Sequence, residues 1–204
     1  MPDSAPDPAP LSVSMRGRRA LARFLLRTTR WRLVGEVPAK GILVGAPHTS
    51  NWDWVATILI AWANARSPQL LIKHTFFKGP LGWILRVTGG IPLDRDNPGE
   101  AIRALLREAE SHPSFLLAIA PEGTRGAGKY WKPGFYRIAQ QTGLPISLGF
   151  IDGPTRTLGM GPTLTPTGDV AADMDLVRAF YADKQGLRPE LRTEPRLREE
   201  SRGD

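Results

Sequence analysis

Apolar residues recur along this chain in two alternating rhythms. Short apolar runs bounded by Gly, Pro, Asn or Asp occupy 41–46, 70–73, 91–93, 115–120 and 146–151. Runs this short, dominated by Val, Ile and Leu, read as buried strands, and 31–36 reads as a further short strand. Between them lie segments with helical spacing. Asn51 is placed to cap a helix that runs through Asn64. Residues 80–88 predict a short helix. Residues 98–111 predict a longer one, with Pro98 at its start and Ile102, Leu105, Leu106 and Ala109 on one face. Residues 135–141 predict a helix stopped by Gly143, and 169–183 predict the last helix. The Gly- and Pro-rich stretch 155–167 predicts a hairpin. Strands alternating with helices predict an α/β fold: a single layered domain with a mixed, mostly parallel sheet flanked by helices. No internal repeat is present.

The ends of the chain differ from this middle. Residues 1–14 carry four prolines, all in the first ten positions, and are expected to be disordered. Residues 15–30 predict a basic amphipathic helix. On a wheel of 100° per residue, Leu21, Phe24, Leu25, Thr28 and Trp31 fall in an arc of about 120°. Arg16, Arg19, Arg23, Arg27 and Arg30 fall on the opposite side, with Leu26 and Arg18 as exceptions. Two readings stand side by side: a helix packed on the domain with a solvated Arg face, and a helix lying flat on a membrane. The domain proper is expected over 31–183, and 184–204 is expected to be a charged, mobile tail.

Composition narrows the classes. The chain has 204 residues, enough for one domain with a sizeable core. It has no cysteine, which excludes a disulfide scaffold, a thiol nucleophile and a Cys-ligated metal. No apolar run approaches the roughly 18 residues of a spanning helix. The N-terminus does not read as a secretory signal, being acidic and Pro-rich before an Arg-studded helix. The net charge is +7. Residues 1–35 hold seven Arg against Asp3 and Asp7, and so most of the surplus. A basic segment concentrated in this way suits an anionic membrane surface better than the spread basic face of a nucleic-acid binder.

Four elements bear chemistry, and each has an ordinary structural reading when taken alone. His48 and Asp53 form His-Thr-Ser-Asn-Trp-Asp where a strand ends and a helix begins, the edge at which α/β folds bind ligands. Neutral imidazole is the common general base near neutral pH, and a carboxylate can fix its tautomer and support the imidazolium. Five positions on one helix put two side chains about 140° apart. The pair therefore meets only if His48 sits on the loop and folds back. Pro121-Glu122-Gly123-Thr124-Arg125 follows a buried strand and offers a tight turn, a hydroxyl and a planar five-donor guanidinium, suited to phosphate or carboxylate. Asp94-Arg95 ends another strand, and Lys73 ends a fourth. If the sheet is largely parallel, His48, Lys73, Asp94, Arg95 and 122–125 converge on one edge. One base with three cations suits deprotonation of a hydroxyl on a molecule that also carries an anion. No Gly-x-Ser-x-Gly elbow and no metal-ligand spacing is present.

With these residues in hand, the chain resembles the glycerolipid acyltransferase family, whose best-known members are the lysophosphatidic acid (1-acylglycerol-3-phosphate) acyltransferases. The family's H-x4-D block is matched by His48 and Asp53, and its P-E-G-T-R block in full by Pro121 through Arg125. Its G-x-x-F-I-D-R segment is matched by Gly89 through Arg95, with Pro92 in place of Phe. Its V-P-I-x-P-V strand is matched in part by Leu144-Pro145-Ile146-Ser147-Leu148-Gly149. Lys73, the stretch Gly79-Pro80-Leu81-Gly82, and Lys132-Pro133-Gly134 also resemble the family. The likeness spans about 31–183.

The resemblance implies an enzyme that moves an acyl group from acyl-CoA or acyl-carrier protein, as co-substrate, to the hydroxyl of a lysophospholipid. His48 would be the base and Asp53 its support. Lys73, Arg95 and Arg125 would hold the acceptor phosphate, with Asp94 beside them. Glu122, Gly123 and Thr124 would shape the loop. Neither a metal nor a cofactor is implied. The expected partners are the thioester donor, the lysophospholipid and an anionic membrane surface, with no nucleic acid. The expected location is cytoplasmic, peripheral on the inner face of the membrane. Two rivals share part of this evidence: the same chemistry on a lyso-aminolipid or glycolipid, and a non-catalytic membrane-binding module.

Overall fold

The computed structural model describes residues 11–93, 103, 105, 107, 109 and 111–202. Seven strands form one mixed sheet: β1 (Arg32–Val34), β2 (Lys40–Ala46), β3 (Gln69–Lys73), β4 (Gly90–Leu93), β5 (Phe115–Ile119), β6 (Ile146–Asp152) and β7 (Thr157–Leu164). Their order is β1-β7-β6-β2-β5-β3-β4. The five strands from β6 to β4 run parallel. β7 turns back antiparallel to β6, and β1 is parallel to β7. The expectation of a mixed, mostly parallel sheet therefore holds. The hairpin expected within 155–167 is instead one long strand, β7, whose partner is β6. Its Gly and Pro residues lie in the strand, and the reversal comes just before it, at 153–156.

Among the helices whose full extent is described, five flank the sheet: α1 (Val13–Thr28), α2 (Trp52–Ala63), α3 (Gly79–Val87), α4 (Gly134–Thr142) and α5 (Val170–Tyr181). Of the helix expected over 98–111, residues 103, 105, 107, 109 and 111 are described and helical. Alternation along β2 divides the core into two halves. Ile42 and Val44 point into one half with Leu117, Ile146, Leu148, Trp131 and Tyr181. Leu43 points into the other with Leu116, Ala118 and residues of α1 and α2. The central strands β2, β5 and β6 are thus covered on both faces, which is why they read as unbroken apolar runs.

α1 packs by a stripe that the wheel left unmarked. Ala22 and Leu26 are buried against α2 and its surroundings, and Arg18 stacks over Trp62. Leu21, Phe24 and Leu25 stay 50%, 63% and 37% exposed. The apolar arc is therefore not what holds the helix to the domain. Among the described residues no helix is long and apolar enough to cross a membrane.

The expected mobile tail is instead an ordered strap. Leu197 is buried, the Trp131 amide donates to the Arg196 carbonyl, and Glu200 pairs with Arg178 of α5. Alternating charges made this segment read as solvated. Its anchoring side chains, Thr193, Pro195 and Leu197, alternate with exposed Glu194, Arg196 and Arg198, a run too short and too poor in large apolar residues to read as a strand.

At the opposite end of the sheet, β4 is the edge strand among the described residues, paired there with β3 alone. Pro92 stands within it, opposite Ile72.

Candidate functional site

The parallel strands end at one edge of the sheet, and the loops after β2 and β5 meet there. The chain leaves β2 through a cis Ala46–Pro47 peptide, and His48 follows on the loop before α2. His48 Nδ1 lies 3.1 Å from Asp53 Oδ2, so the side chain does fold back onto the first turn of the helix. The same oxygen accepts the amides of Thr49 and Ser50, both at 2.7 Å. Asp53 is thus at once the partner of the imidazole and the brace of the loop that precedes α2. Asn51, expected to cap α2, makes no side-chain capping bond. Ser50 Oγ accepts the Trp52 amide instead, because Asn51 has already entered helical dihedrals. With Nδ1 donating to Asp53, Nε2 keeps its lone pair, the arrangement a general base needs.

Glu122 ties the second motif to the first. Its Oε1 accepts the His48 backbone amide at 2.8 Å, while Oε2, buried, has no hydrogen-bond partner. Burial, opposed by this bond and the nearby imidazole, pushes the Glu122 carboxyl up to about 7. Gly123 turns the loop with φ at +67°, and a Cβ there would stand 3.2 Å from Lys132 Cγ. Thr124 is exposed, and Arg125 is exposed with its guanidinium 6.0 Å from the Phe76 ring centroid.

A cleft of about 360 Å³ opens beside this dyad. It is lined by residues 49–52, by Arg125 and, from the strap, by Arg188 and Leu191. His48, Asp53 and Glu122 are thus joined by direct bonds, and Arg125 faces the same cleft. Lys73 ends β3 at the same edge but is exposed and does not line the cleft. Asp94 and Arg95 lie outside the described residues. Among those described, no group of His, Asp and Glu could hold a metal ion.

Two contributors were hidden from sequence reading. Thr49, 1% exposed, accepts the amides of Leu187 and Arg188 at 3.1 and 3.0 Å. Arg188 reaches the cleft only because of that attachment. One signal was available, Gly186 within an otherwise charged segment, but nothing local says what it packs on.

The acyltransferase family model matches residues 28–147, more than half of the chain. The chain belongs to the acyltransferase family. A 1-acyl-sn-glycerol-3-phosphate acyltransferase of Pseudomonas aeruginosa is 26% identical over 116 residues, covering 54% of this chain and 44% of that protein. This chain therefore spans less than half the length of that relative. The crystal structure of the 1-acyl-sn-glycerophosphate (LPA) acyltransferase from Thermotoga maritima shares the fold, with a TM-score of 0.53, 20% identity, and coverage of 76% of this chain and 70% of that one. Within the match to the acyltransferase family lie His48, Asp53 and 121–125; α1, all but its last residue, and the strap lie outside it.

Proposed function

We propose that the chain transfers a fatty acyl group from an acyl thioester, acyl-CoA or acyl-carrier protein, to the free hydroxyl of a lysophospholipid, 1-acylglycerol-3-phosphate, in phospholipid synthesis. The observation that carries this reading is the His48–Asp53 pair on a loop of an acyltransferase-family domain, beside a cleft that also presents arginine. His48 Nε2 takes the proton from the acceptor hydroxyl as its oxygen attacks the thioester carbonyl carbon. The C–O bond forms, the C–S bond breaks, and the departing thiolate takes the proton back from Nε2. Asp53 holds the ring and supports its transient positive charge. No acyl-enzyme is required. Arg125 draws the acceptor's phosphate to the cleft. The exposed apolar arc of α1, beside its Arg face, lets the protein lie on the inner face of an anionic membrane, where lysolipid is found.

The test incubates purified protein with labelled acyl-CoA and a panel of lysolipids, follows thiol release and identifies the product by mass. His48→Ala is expected to abolish transfer with little change in melting temperature, and Asp53→Asn to cost several orders of magnitude. General-base action supplies roughly 10²–10⁴-fold. A His48→Ala protein keeping more than about a tenth of wild-type turnover would show that His48 is not the base. Preference for a phosphate-free acceptor would move the reading to lyso-aminolipids or glycolipids.

A further inference from the structure

The strap that follows α5 is fastened to the site with unusual care for a segment rich in charge. Asp152 Oδ1 accepts the Gln185 amide at 2.9 Å, and the Gly153 amide donates to the Gly186 carbonyl at 2.9 Å. Thr49 Oγ1, in the His48 loop, then accepts the next two strap amides, Leu187 and Arg188. Gly186 holds φ at +74°, and a Cβ there would stand 2.9 Å from Thr49 Oγ1, so the close approach requires glycine. Farther on, Thr193 Oγ1 accepts the Gly128 amide at 2.9 Å, in the segment after Arg125. The strap thus links the two motif loops and delivers Arg188 to the cleft they share.

Several arginines near it are held by carboxylates, although Arg196 has no ion pair among the described residues and Arg198 only stacks over Tyr130. Arg137, Arg178 and Arg192 are each paired with a carboxylate. The Arg188 guanidinium has no hydrogen bond or ion pair among the described residues, and Arg125 has only its ring contact. Both residues line one cleft, and two guanidinium groups without carboxylate partners brought to one ligand favour an anion of more than one charge. A phosphate monoester is such an anion, and each guanidinium presents the planar fork that fits it.

We propose that Arg188 is a specificity residue that, with Arg125, holds a phosphomonoester dianion carried by a substrate and prefers it to a singly charged phosphodiester. This rests on the acyl-transfer reading above and adds to it a residue outside the matched family segment. Two substrates can bring that group: a 1-acylglycerol phosphate acceptor, and the 3′-phosphate of acyl-CoA.

The experiment compares the wild-type full chain with Arg188→Gln and Arg188→Lys. Apparent KM and kcat are measured for a lysolipid phosphomonoester, a lysolipid phosphodiester, acyl-CoA and acyl-3′-dephospho-CoA, which lacks only the 3′-phosphate. A charge-assisted contact in an exposed cleft predicts about a tenfold rise in KM for the monoester in Arg188→Gln, with kcat changed less than about twofold. The diester should be less affected, and Arg188→Lys should recover part of the loss. A rise for acyl-CoA alone, absent with acyl-3′-dephospho-CoA, assigns the dianion to the donor and supports the same clamp; an equal rise with both donors places Arg188 on the diphosphate and overturns it. A second arm needs no turnover: glycerol 3-phosphate, but not glycerol, should raise the melting temperature of wild type more than that of Arg188→Gln. Unchanged KM for all substrates together with equal phosphate stabilisation would overturn the proposal. A wild type that transfers nothing yet shows this phosphate difference would sink the acyl-transfer reading and leave the clamp standing.

Discussion

One oxygen of Asp53 meets three donors, while the other is buried without a partner. The loop is therefore organised around a single atom, and rotation of that carboxylate would release the imidazole and two amides together. Glu122 organises it from the other side. In the folded protein its carboxyl titrates near 7 because it is buried, against an ordinary value of 4.5. The folded state therefore holds a proton that the unfolded chain has lost across that window. The corresponding stability is fully present below about pH 4.5 and disappears as pH rises through 7, on the order of 3 kcal/mol in all. Glu122→Gln keeps an acceptor for the His48 amide and removes the titration. Its stability relative to wild type should therefore grow by about 2–3 kcal/mol between pH 5 and pH 8. Urea unfolding at the two pH values measures this, and parallel behaviour of the two proteins would contradict it.

At the scale of elements, α1 shows where a wheel stops being informative. Its angles separate an apolar arc from a basic one, but they do not say which stripe the domain will cover. Ala22 is small and Leu26 looked like an exception, yet these two meet α2, because small residues let helices approach closely. The apolar arc left outside makes a surface-lying role testable. Changing Arg19, Arg23 and Arg27 to Gln should weaken co-sedimentation with anionic liposomes several-fold, since each Arg near such a surface contributes about 1 kcal/mol, less at high salt. The melting temperature should barely move. Binding that ignores lipid charge and survives the triple change would refute the electrostatic anchor. The exposed Phe24 sharpens the choice: Phe24→Ser should also spare the fold. The central strands β2, β5 and β6 and the helices α2 to α5 were legible because each buries a continuous run or a regular face; β7 was not, because Gly159, Gly161 and Pro162 imitate turn chemistry.

For the whole molecule, parallel topology turned scattered motifs into one site. His48 and Glu122 are separated by 74 positions, and only neighbouring strands β2 and β5 bring them together. That much followed from strand order. The contribution of the strap did not, since contacts such as Leu187 to Thr49, 138 positions apart, leave no local trace. The strap is also structural: Leu197 lies in the main core at 1% exposure. Leu197→Ala should cost about 2–4 kcal/mol in urea unfolding, whereas a detached tail would register nothing. The opposite edge of the sheet carries a different consequence. Proline is tolerated in a ladder where its nitrogen faces away from the partner strand, so Pro92 leaves the outer rim of β4 short of a donor. A sheet rim with a full set of amides can recruit a strand from another chain. Here Pro92 discourages such recruitment along the β4 rim, so a visiting strand would find an interrupted ladder there.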